Sequence, residues 1–194
     1  DFQAVAVDGS GTYVYAIAGT NLVVRLLQTE DIFDDGAGLF SLSWGGVTGT
    51  GPGEFTHAID IAVDSAGNVY VADLLNHDVQ KFDGDGNYLA TIGSAGDGKG
   101  QFFSPAGIAV DASDNLYVAD MGNDSISIFD SAGDFVATWG KDVLAGNSET
   151  GYEICTAAPA DVCQGDNTGS GNGEFNAPTD VVVDGDGNVY VSDL

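Results

Sequence analysis

The sequence contains very few basic residues. Among its 194 residues, Lys and Arg number 4 against 30 for Asp and Glu, which gives a formal net charge of −26 at pH 7. A field of this sign repels phosphate backbones and anionic membrane surfaces, and it attracts cations and basic proteins. The composition therefore argues against nucleic-acid binding. The acidity itself has three interpretations: a solubilising surface of turn residues, adaptation to high salt, or dispersed calcium binding.

Long apolar runs and histidines are also scarce. No apolar run approaches the ~20 residues that a membrane helix needs, so we expect no membrane insertion. The two histidines, His57 and His77, are too few for a catalytic metal site built from several imidazoles. There is no Gly-x-Ser-x-Gly motif of a serine hydrolase. The residues present therefore argue against an enzyme.

Only two cysteines are present, Cys155 and Cys163, in a stretch rich in Gly, Asn, Ser and Thr. They do not form a Cys-x-x-Cys pair, and no cluster of histidines accompanies them, so a structural zinc site is not indicated. The spacing favours a local disulfide that closes a long loop, with free thiols as the alternative. A disulfide indicates an oxidising compartment, which means an extracellular, cell-surface or periplasmic location.

What the sequence does contain is a repeated β pattern. Residues 53–93 hold four short runs of β-branched and aromatic residues, IDIAV, NVYVA, DVQKF and YLATI, separated by Asp-Gly-Asn turn sequences. The entry GEF (53–55) recurs as GQF (100–102) and GEF (173–175). The run VYVAD (69–73) recurs as LYVAD (116–120) and VYVSD (189–193). Four strands in a period of about 40–50 residues are typical of a propeller blade.

The sequence therefore predicts an all-β fold, a β-propeller of four-stranded antiparallel blades, with about three and a half blades present. The predicted units are a degenerate first blade (1–50), a second blade (53–93), a third blade (100–140), an insertion loop with the cysteines (141–172) and a half blade (173–194). An open arc exposes strand edges and an apolar blade face. We expect the arc to belong to a longer propeller or to be completed by other copies of the chain.

These motifs resemble the NHL-repeat family of β-propellers. The resemblance rests on the Gly-x-Phe entry, the IAVD and GNVYVAD strands, and the pair Asn76-His77 followed by a Val-x-x-Phe-Asp-Gly sequence. It covers residues 53–140 and 173–194 well and residues 1–50 only weakly. The family commonly has Arg where this chain has Asp78, which removes basic surface that some relatives use.

In a propeller blade the first strand is innermost, so its first residues approach the central channel. This chain has Asp60 and Asp180 there, where the family commonly has Gly. Carboxylates that converge on a channel could hold Ca²⁺, which prefers several oxygen ligands. The alternative is that they cap backbone groups or face channel water.

The loops between strands two and three lie on the same face as the connections between blades. His57 and His77 both belong to that face, which is our candidate binding face, because binding residues concentrate on loops held by a rigid scaffold. A set of polar residues recurs at the end of each second strand, and recurrence in every blade favours a structural role. These residues are Asp73, Asn76, Asp120, Asn123 and Asp193.

The sequence thus favours a non-catalytic, extracytoplasmic NHL-type propeller that serves as a protein-interaction or structural scaffold, such as a component of a surface assembly. Its expected partners are a protein, a basic partner, or further copies of itself. The alternative is part of a propeller lyase or hydrolase with a calcium ion in the central channel.

Overall fold

The computed structural model describes residues 2–27, 40–140, 153–156 and 174–194. In these ranges the chain is built almost entirely of short strands, with one 3-10 turn at Met121–Asn123. The first sheet contains β1 (Phe2–Val7), β2 (Tyr13–Ala18), β3 (Leu22–Leu27) and β4 (Phe40–Gly45). The second contains β5 (Ala58–Val63), β6 (Val69–Asp73), β7 (Asp78–Phe82) and β8 (Tyr88–Ile92). The third contains β9 (Pro105–Val110), β10 (Leu116–Asp120), β11 (Ser125–Phe129), β12 (Phe135–Gly140) and β13 (Glu153–Thr156), and the last contains β14 (Asp180–Val183) and β15 (Val189–Ser192).

In six of the hairpins, the turn carries an Asp that caps its own backbone; these residues are Asp8, Asp64, Asp83, Asp111, Asp130 and Asp184. In the β5–β6 turn, the Asp64 carboxylate accepts hydrogen bonds from the backbone N–H groups of Ala66 and Asn68 and from the Asn68 side chain. Gly67 supplies the positive φ of +82° that this turn requires. The Asp83–Asn87 turn, whose Asp-Gly-Asp sequence looks like a calcium loop, is built in the same way.

Within each sheet the strands follow one another antiparallel in chain order, as in a blade. The insertion between the third blade and the half blade differs from the loop predicted from the sequence, because it contains β13. This strand pairs antiparallel with β12 and adds a fifth strand to the outer edge of the third blade. A four-residue run inside a polar segment gives no usable periodicity, so the sequence did not indicate it.

The blades stack face to face around their inner strands, in the order β1, β5, β9 and β14. Three apolar clusters fill the spaces between neighbouring blades. The central one places Tyr70 and Ala62 of the second blade against Ile108 and Leu116 of the third. The core therefore lies between sheets, which confirms the predicted fold class of four-stranded antiparallel propeller blades, about three and a half in number.

One basic side chain bonds the first blade to the second, and another bonds the second blade to the third. Arg25, on β3, donates to the carbonyl oxygen of Gly84 and pairs with Asp85 at 3.1 Å, both in the β7–β8 turn. Lys81 occupies the equivalent position on β7 and donates to the Ser131 carbonyl in the β11–β12 turn at 3.1 Å. Two of the four basic residues of the chain thus connect neighbouring blades.

Candidate functional site

The inner strands converge on a cavity of about 260 Å³. All four contribute to its wall, so the cavity lies on the concave side of the arc where a propeller has its central channel. The predicted channel residues Asp60 and Asp180 both line it, together with Gly107 of the strand between them. The remaining lining residues are Gln3, Ala4, Val5, Ile59, Ala106 and Thr179.

The Asp60 carboxylate bonds two inner strands together. Its Oδ1 accepts a hydrogen bond from the N–H of Ile61 at 2.9 Å, and its Oδ2 accepts one from the N–H of Ile108 on the next inner strand at 2.7 Å. Burial raises the pKa of Asp60 to about 6, the two backbone donors oppose that rise, and the charge of Asp180 adds to it. Asp60 therefore acts as a bridge between blades at the wall of the cavity.

Asp180 repeats the hydrogen bond that Asp60 makes through Oδ1, but not the one that Asp60 makes through Oδ2. Its Oδ1 accepts from its own neighbour, the N–H of Val181, at 2.8 Å. Its Oδ2 has no recorded hydrogen bond to any of the described residues, and Asp180 is exposed. Its backbone lies so close to Gly107 that a Cβ on that glycine would be 2.5 Å from the Asp180 Cα.

This arrangement does not fit the predicted calcium ion. Both oxygens of Asp60 and one of Asp180 accept hydrogen bonds from backbone N–H groups, whereas Ca²⁺ takes six to eight oxygen ligands. Within the described ranges, no group of three or more His, Cys, Asp or Glu residues could hold a metal ion.

Replacing Gly107 by Ala should destabilise the contact between the third blade and the half blade. The new Cβ would lie 2.5 Å from the Cα and 2.7 Å from the Oδ1 of Asp180, so β9 and β14 must separate. We expect a cost of about 1–3 kcal/mol, as for other overpacked sites, seen as a lower melting temperature. Gly185→Ala is the control, because a Cβ there meets no atom within 4 Å. An equal loss in both variants would contradict the close approach of β14.

The opposite end of the blades carries the connections between blades and the β6–β7 and β10–β11 loops, and we call it the loop face. Its backbone is held by buried carboxylates. The fully buried Asp73 accepts hydrogen bonds from four N–H groups, two before β5 (Thr56 and His57) and two after β6 (Leu75 and Asn76), at 2.7–3.1 Å. The loop of the second blade is therefore tied to the segment that leads into that blade.

The other recurring polar residues occupy equivalent places. Asn76 and Asn123 donate their side-chain amides to the carbonyls of Gly49 and Gly96 in the connections before their own blades, at 2.8 and 2.9 Å. Asp120 accepts from the N–H of Phe103 at 2.8 Å and from the Asn123 side chain. In the half blade, the exposed Asp193 accepts from the N–H of Asn176 at 2.6 Å.

The two histidines lie at this end, but the described contacts join them to the backbone and not to each other. The carbonyl of His57 accepts a hydrogen bond from the N–H of Leu74 at 3.0 Å. His77 has a left-handed backbone, with φ at +59°, and its Nδ1 accepts from the N–H of Ser104 in the next blade at 2.9 Å. Asp124 does the same one blade later, accepting from the N–H of Ala177 at 2.7 Å.

The structure adds exposed apolar side chains that the sequence reasoning missed. Phe103 is 55% exposed and stacks on the His77 ring, with centroids 5.2 Å apart and an interplanar angle of 12°. Leu75 of the neighbouring loop and Val47 of the preceding connection are also exposed. A comparison of the repeats could have singled out Phe103. The residue that follows the Phe of the Gly-x-Phe entry is polar in the other two units, Thr56 and Asn176.

One buried carboxylate on this end is unsatisfied. Asp78 begins β7 directly opposite Asp73 on β6. Its Oδ1 is buried and has no hydrogen-bond partner among the described residues. Burial, followed by the charge of Asp73, raises the pKa of Asp78 to about 6.

Comparisons with known proteins support the architecture. A family model described as a 6-bladed beta-propeller matches residues 65–155. A structural genomics protein of unknown function from Bacteroides thetaiotaomicron superposes with a TM-score of 0.61 at 21% identity, covering 99% of this chain and 44% of that one. The fold is that of a partial β-propeller.

Other propellers of solved structure are similar to a comparable extent. A functionally unknown protein from Desulfotomaculum acetoxidans superposes with a TM-score of 0.57 at 16% identity, covering 100% of this chain and 49% of that one. A streptogramin B lyase superposes with a TM-score of 0.56 at 10% identity, covering 99% and 48%. The chain thus spans less than half the length of these propellers. No curated protein matches its sequence.

Two further predictions, the disulfide and the absence of a membrane helix, can be compared only with the described residues. The proposed Cys155–Cys163 disulfide lies outside the described residues, since nothing is defined for Cys163 or for the Cys155 side chain. None of the helices in the described ranges has the length and apolarity that a membrane crossing requires.

Proposed function

We propose that this propeller is a protein-interaction module whose loop face binds a basic partner. The observation that carries the proposal is the set of exposed apolar side chains at that end, Val47, Leu75 and Phe103. Exposed aromatic and aliphatic residues that share one rigid face are typical anchors of a protein interface.

The backbone that presents these residues is held in place before a partner arrives. Phe103 donates its N–H to the buried Asp120 at 2.8 Å and accepts one from Gly122 at 2.7 Å. The next residue, Ser104, is bonded to the His77 ring on which Phe103 stacks. Leu75 donates its N–H to Asp73. Because these side chains project from a fixed frame, binding orders little backbone and loses little affinity to entropy.

The charge of the chain indicates the chemistry of the partner. With a net charge of −26, the protein attracts basic surfaces and repels acidic ones. Two of its four basic residues, Arg25 and Lys81, already bond neighbouring blades. A partner with apolar side chains surrounded by Lys and Arg fits this surface best.

We base the type of propeller and its location on the sequence motifs. The repeated Gly-x-Phe entry and the VYVAD strand support an NHL-type propeller, used as an interaction or scaffold module. The two cysteines eight positions apart support an extracytoplasmic location. Asp60, His77 and Asp120 bond to backbone N–H groups, which supports a structural role for these residues over a catalytic one.

The test compares a loop-face variant, Leu75→Ser with Phe103→Ser, with a matched control, Leu89→Ser with Val136→Ser. The control removes exposed apolar side chains from β8 and β12, the fourth strands of the second and third blades. Each immobilised protein is used to isolate partners from an extract of the source cells, and bound proteins are quantified by mass spectrometry. We expect a basic partner that the wild type and the control retain and that the loop-face variant retains about tenfold less.

Retention should also fall as NaCl is added, because salt screens the attraction between opposite charges. Partners retained equally by all three proteins would contradict a binding role for the loop face.

A further inference from the structure

His77 joins two neighbouring blades on the loop face. Its Nδ1 accepts a hydrogen bond from the N–H of Ser104 at 2.9 Å, and its ring stacks on Phe103 with centroids 5.2 Å apart. His77 belongs to the β6–β7 loop of the second blade, whereas Phe103 and Ser104 belong to the connection that leads into the third. The ring therefore lies between the two elements that carry the exposed side chains of Leu75 and Phe103.

The segment formed by Phe103 and Ser104 is otherwise held by its own blade. Its backbone makes three hydrogen bonds, at 2.7–3.2 Å, with one stretch of the third blade, Asp120, Met121 and Gly122. Among the described residues, the bond to His77 is the one recorded hydrogen bond that connects this segment to the second blade. His77 thus fixes the position of Phe103 relative to Leu75.

The repeat contains a second contact of the same kind. One blade later, Asp124 takes the place of His77 and accepts the N–H of Ala177 at 2.7 Å. The two donors and the two acceptors all have a left-handed backbone, with φ between +51° and +67°. Residues other than glycine keep this conformation only where their surroundings hold it. Each connection therefore depends on the acceptor that the preceding loop supplies.

The two acceptors differ in how they respond to protons. A ring nitrogen accepts a hydrogen bond only while it carries no proton, so the imidazole that bonds Ser104 is neutral and has its proton on Nε2. In the protonated imidazole both nitrogens are donors, and Nδ1 would then face another donor. Imidazole is the side chain that ordinarily changes its charge between pH 5 and 8.

We propose that His77 is a pH-sensitive switch of the loop face, which is ordered when the imidazole is neutral and released when it is protonated. Protonation breaks the bond to Ser104, so Phe103 loses its fixed position relative to Leu75. A partner that contacts both side chains then binds more weakly. The effect on binding rests on the proposed function of the loop face, whereas the switch itself rests on the contact between His77 and Ser104.

Other charged groups lie on the elements around His77. They belong to its own hairpin, to the connection before β9 and to the β10–β11 loop, and they are Asp73, Asp78, Asp97, Lys99, Asp120 and Asp124. Burial raises the pKa of Asp78 to about 6 and that of Asp120 to about 7, so both also bind protons as pH falls. A protonated carboxyl keeps an oxygen that accepts the N–H of Phe103, whereas a protonated imidazole keeps no acceptor. Loss of the Ser104 bond is therefore specific to His77.

The first test measures the Ser104 amide at about pH 7.5 and about pH 5.5. Hydrogen exchange followed by NMR, corrected for the intrinsic effect of pH on exchange, gives its protection factor. We expect a fall of about tenfold in the wild type at the lower pH, the size of one lost hydrogen bond. His77→Asn should show no fall, because asparagine keeps a neutral acceptor, does not titrate and tolerates positive φ.

His57→Asn is the matched control. It removes the other histidine of the chain, which lies at the same end and makes its recorded hydrogen bonds through its backbone. This variant should follow the wild type. The nitrogen NMR spectrum of the His77 ring should show an unprotonated Nδ1 at about pH 7.5. A proton on Nδ1 at that pH, or a fall in protection that persists in His77→Asn, would overturn the switch.

The second test repeats the isolation of the basic partner at the same two pH values. Retention should be about tenfold lower at about pH 5.5 for the wild type and His57→Asn, and nearly unchanged for His77→Asn. If no partner is retained at either pH while Ser104 protection changes as expected, the proposed function fails and the switch stands. If a partner is retained equally at both and protection does not change, the switch fails and the proposed function stands.

Discussion

Replacing Asp73 by Ala should lower the free energy of unfolding by about 3–5 kcal/mol, the cost typical of removing one side of a buried charged network. The carboxylate is fully buried and accepts four backbone N–H groups, two from the segment before β5 and two from the β6–β7 loop. Alanine leaves these donors without acceptors in a site that water does not reach. At about 2–4 °C per kcal/mol for a protein of this size, the melting temperature should fall by roughly 6–20 °C.

The repeat itself supplies the control for this experiment. Asp193 is the equivalent residue of the half blade, but it is exposed and accepts one recorded hydrogen bond, from the N–H of Asn176. Asp193→Ala should cost less than about 1 kcal/mol, because water can replace a single exposed acceptor. Chemical denaturation monitored by circular dichroism measures both values. Equal losses in the two variants would show that the network around Asp73 is not what stabilises the blade.

The protein should be more stable near pH 5 than near pH 8. Burial, the first cause in each case, raises the pKa values of Asp60 and Asp78 to about 6 and that of Asp120 to about 7, against 3.8 in the unfolded chain. Between pH 3.8 and these values the folded protein binds more protons than the unfolded chain. Stability therefore falls as pH rises through this window.

A second group of carboxylates sets the acid limit. The pKa values of Asp83 and Asp184 lie below their usual range because each accepts hydrogen bonds from an Asn side chain and from the backbone of its turn. Their contribution is present above pH 3.8 and is lost as pH falls through their lower folded values. The optimum should accordingly lie near about pH 4, where the buried groups are protonated in the folded protein and the turn carboxylates are still charged.

Asp78→Asn isolates the contribution of one group to this profile. The Asp78 Oδ1 has no hydrogen-bond partner among the described residues, so a neutral amide loses no recorded contact and removes the charge opposite Asp73. We expect the variant to be about 1–3 kcal/mol more stable than the wild type at pH 8 and to gain about half as much at pH 5, where Asp78 of the unfolded chain is already ionised. Thermal melts across pH at constant ionic strength measure both. A gain of the same size at both values would contradict titration of Asp78.

The sequence predicted the blades because their pattern is local. Strand alternation, Asp-Gly-Asn turns and the Gly-x-Phe entry each lie within a few residues, so one unit could be recognised and then found again along the chain. The positions of Asp60 and Asp180 at the inner strands followed from the same register. β13 could not be predicted in this way, because a strand at a blade edge forms only against a partner that is already folded.

The parts of the candidate site that were missed depend on contacts between blades. The sequence placed His77 on the candidate binding face, and the structure shows that its ring accepts an N–H from a residue 27 positions later. Phe103 is exposed and stacks on that ring, and the residue after it, Ser104, has a left-handed backbone with φ at +67°. Neither relation is visible in one unit of the repeat, since both arise where one blade meets the next.

The stacking of blades through their inner strands gives the arc a one-dimensional cooperativity. Each blade contacts mainly the blades before and after it, so its stability depends on its neighbours as in a linear repeat protein. The second and third blades, which have neighbours on both sides, should open last, and opening should spread inward from the ends. The cavity that β1 and β14 line together is the exception, since a molecule that contacts both strands would connect the two ends and turn a chain of nearest neighbours into a closed cooperative unit.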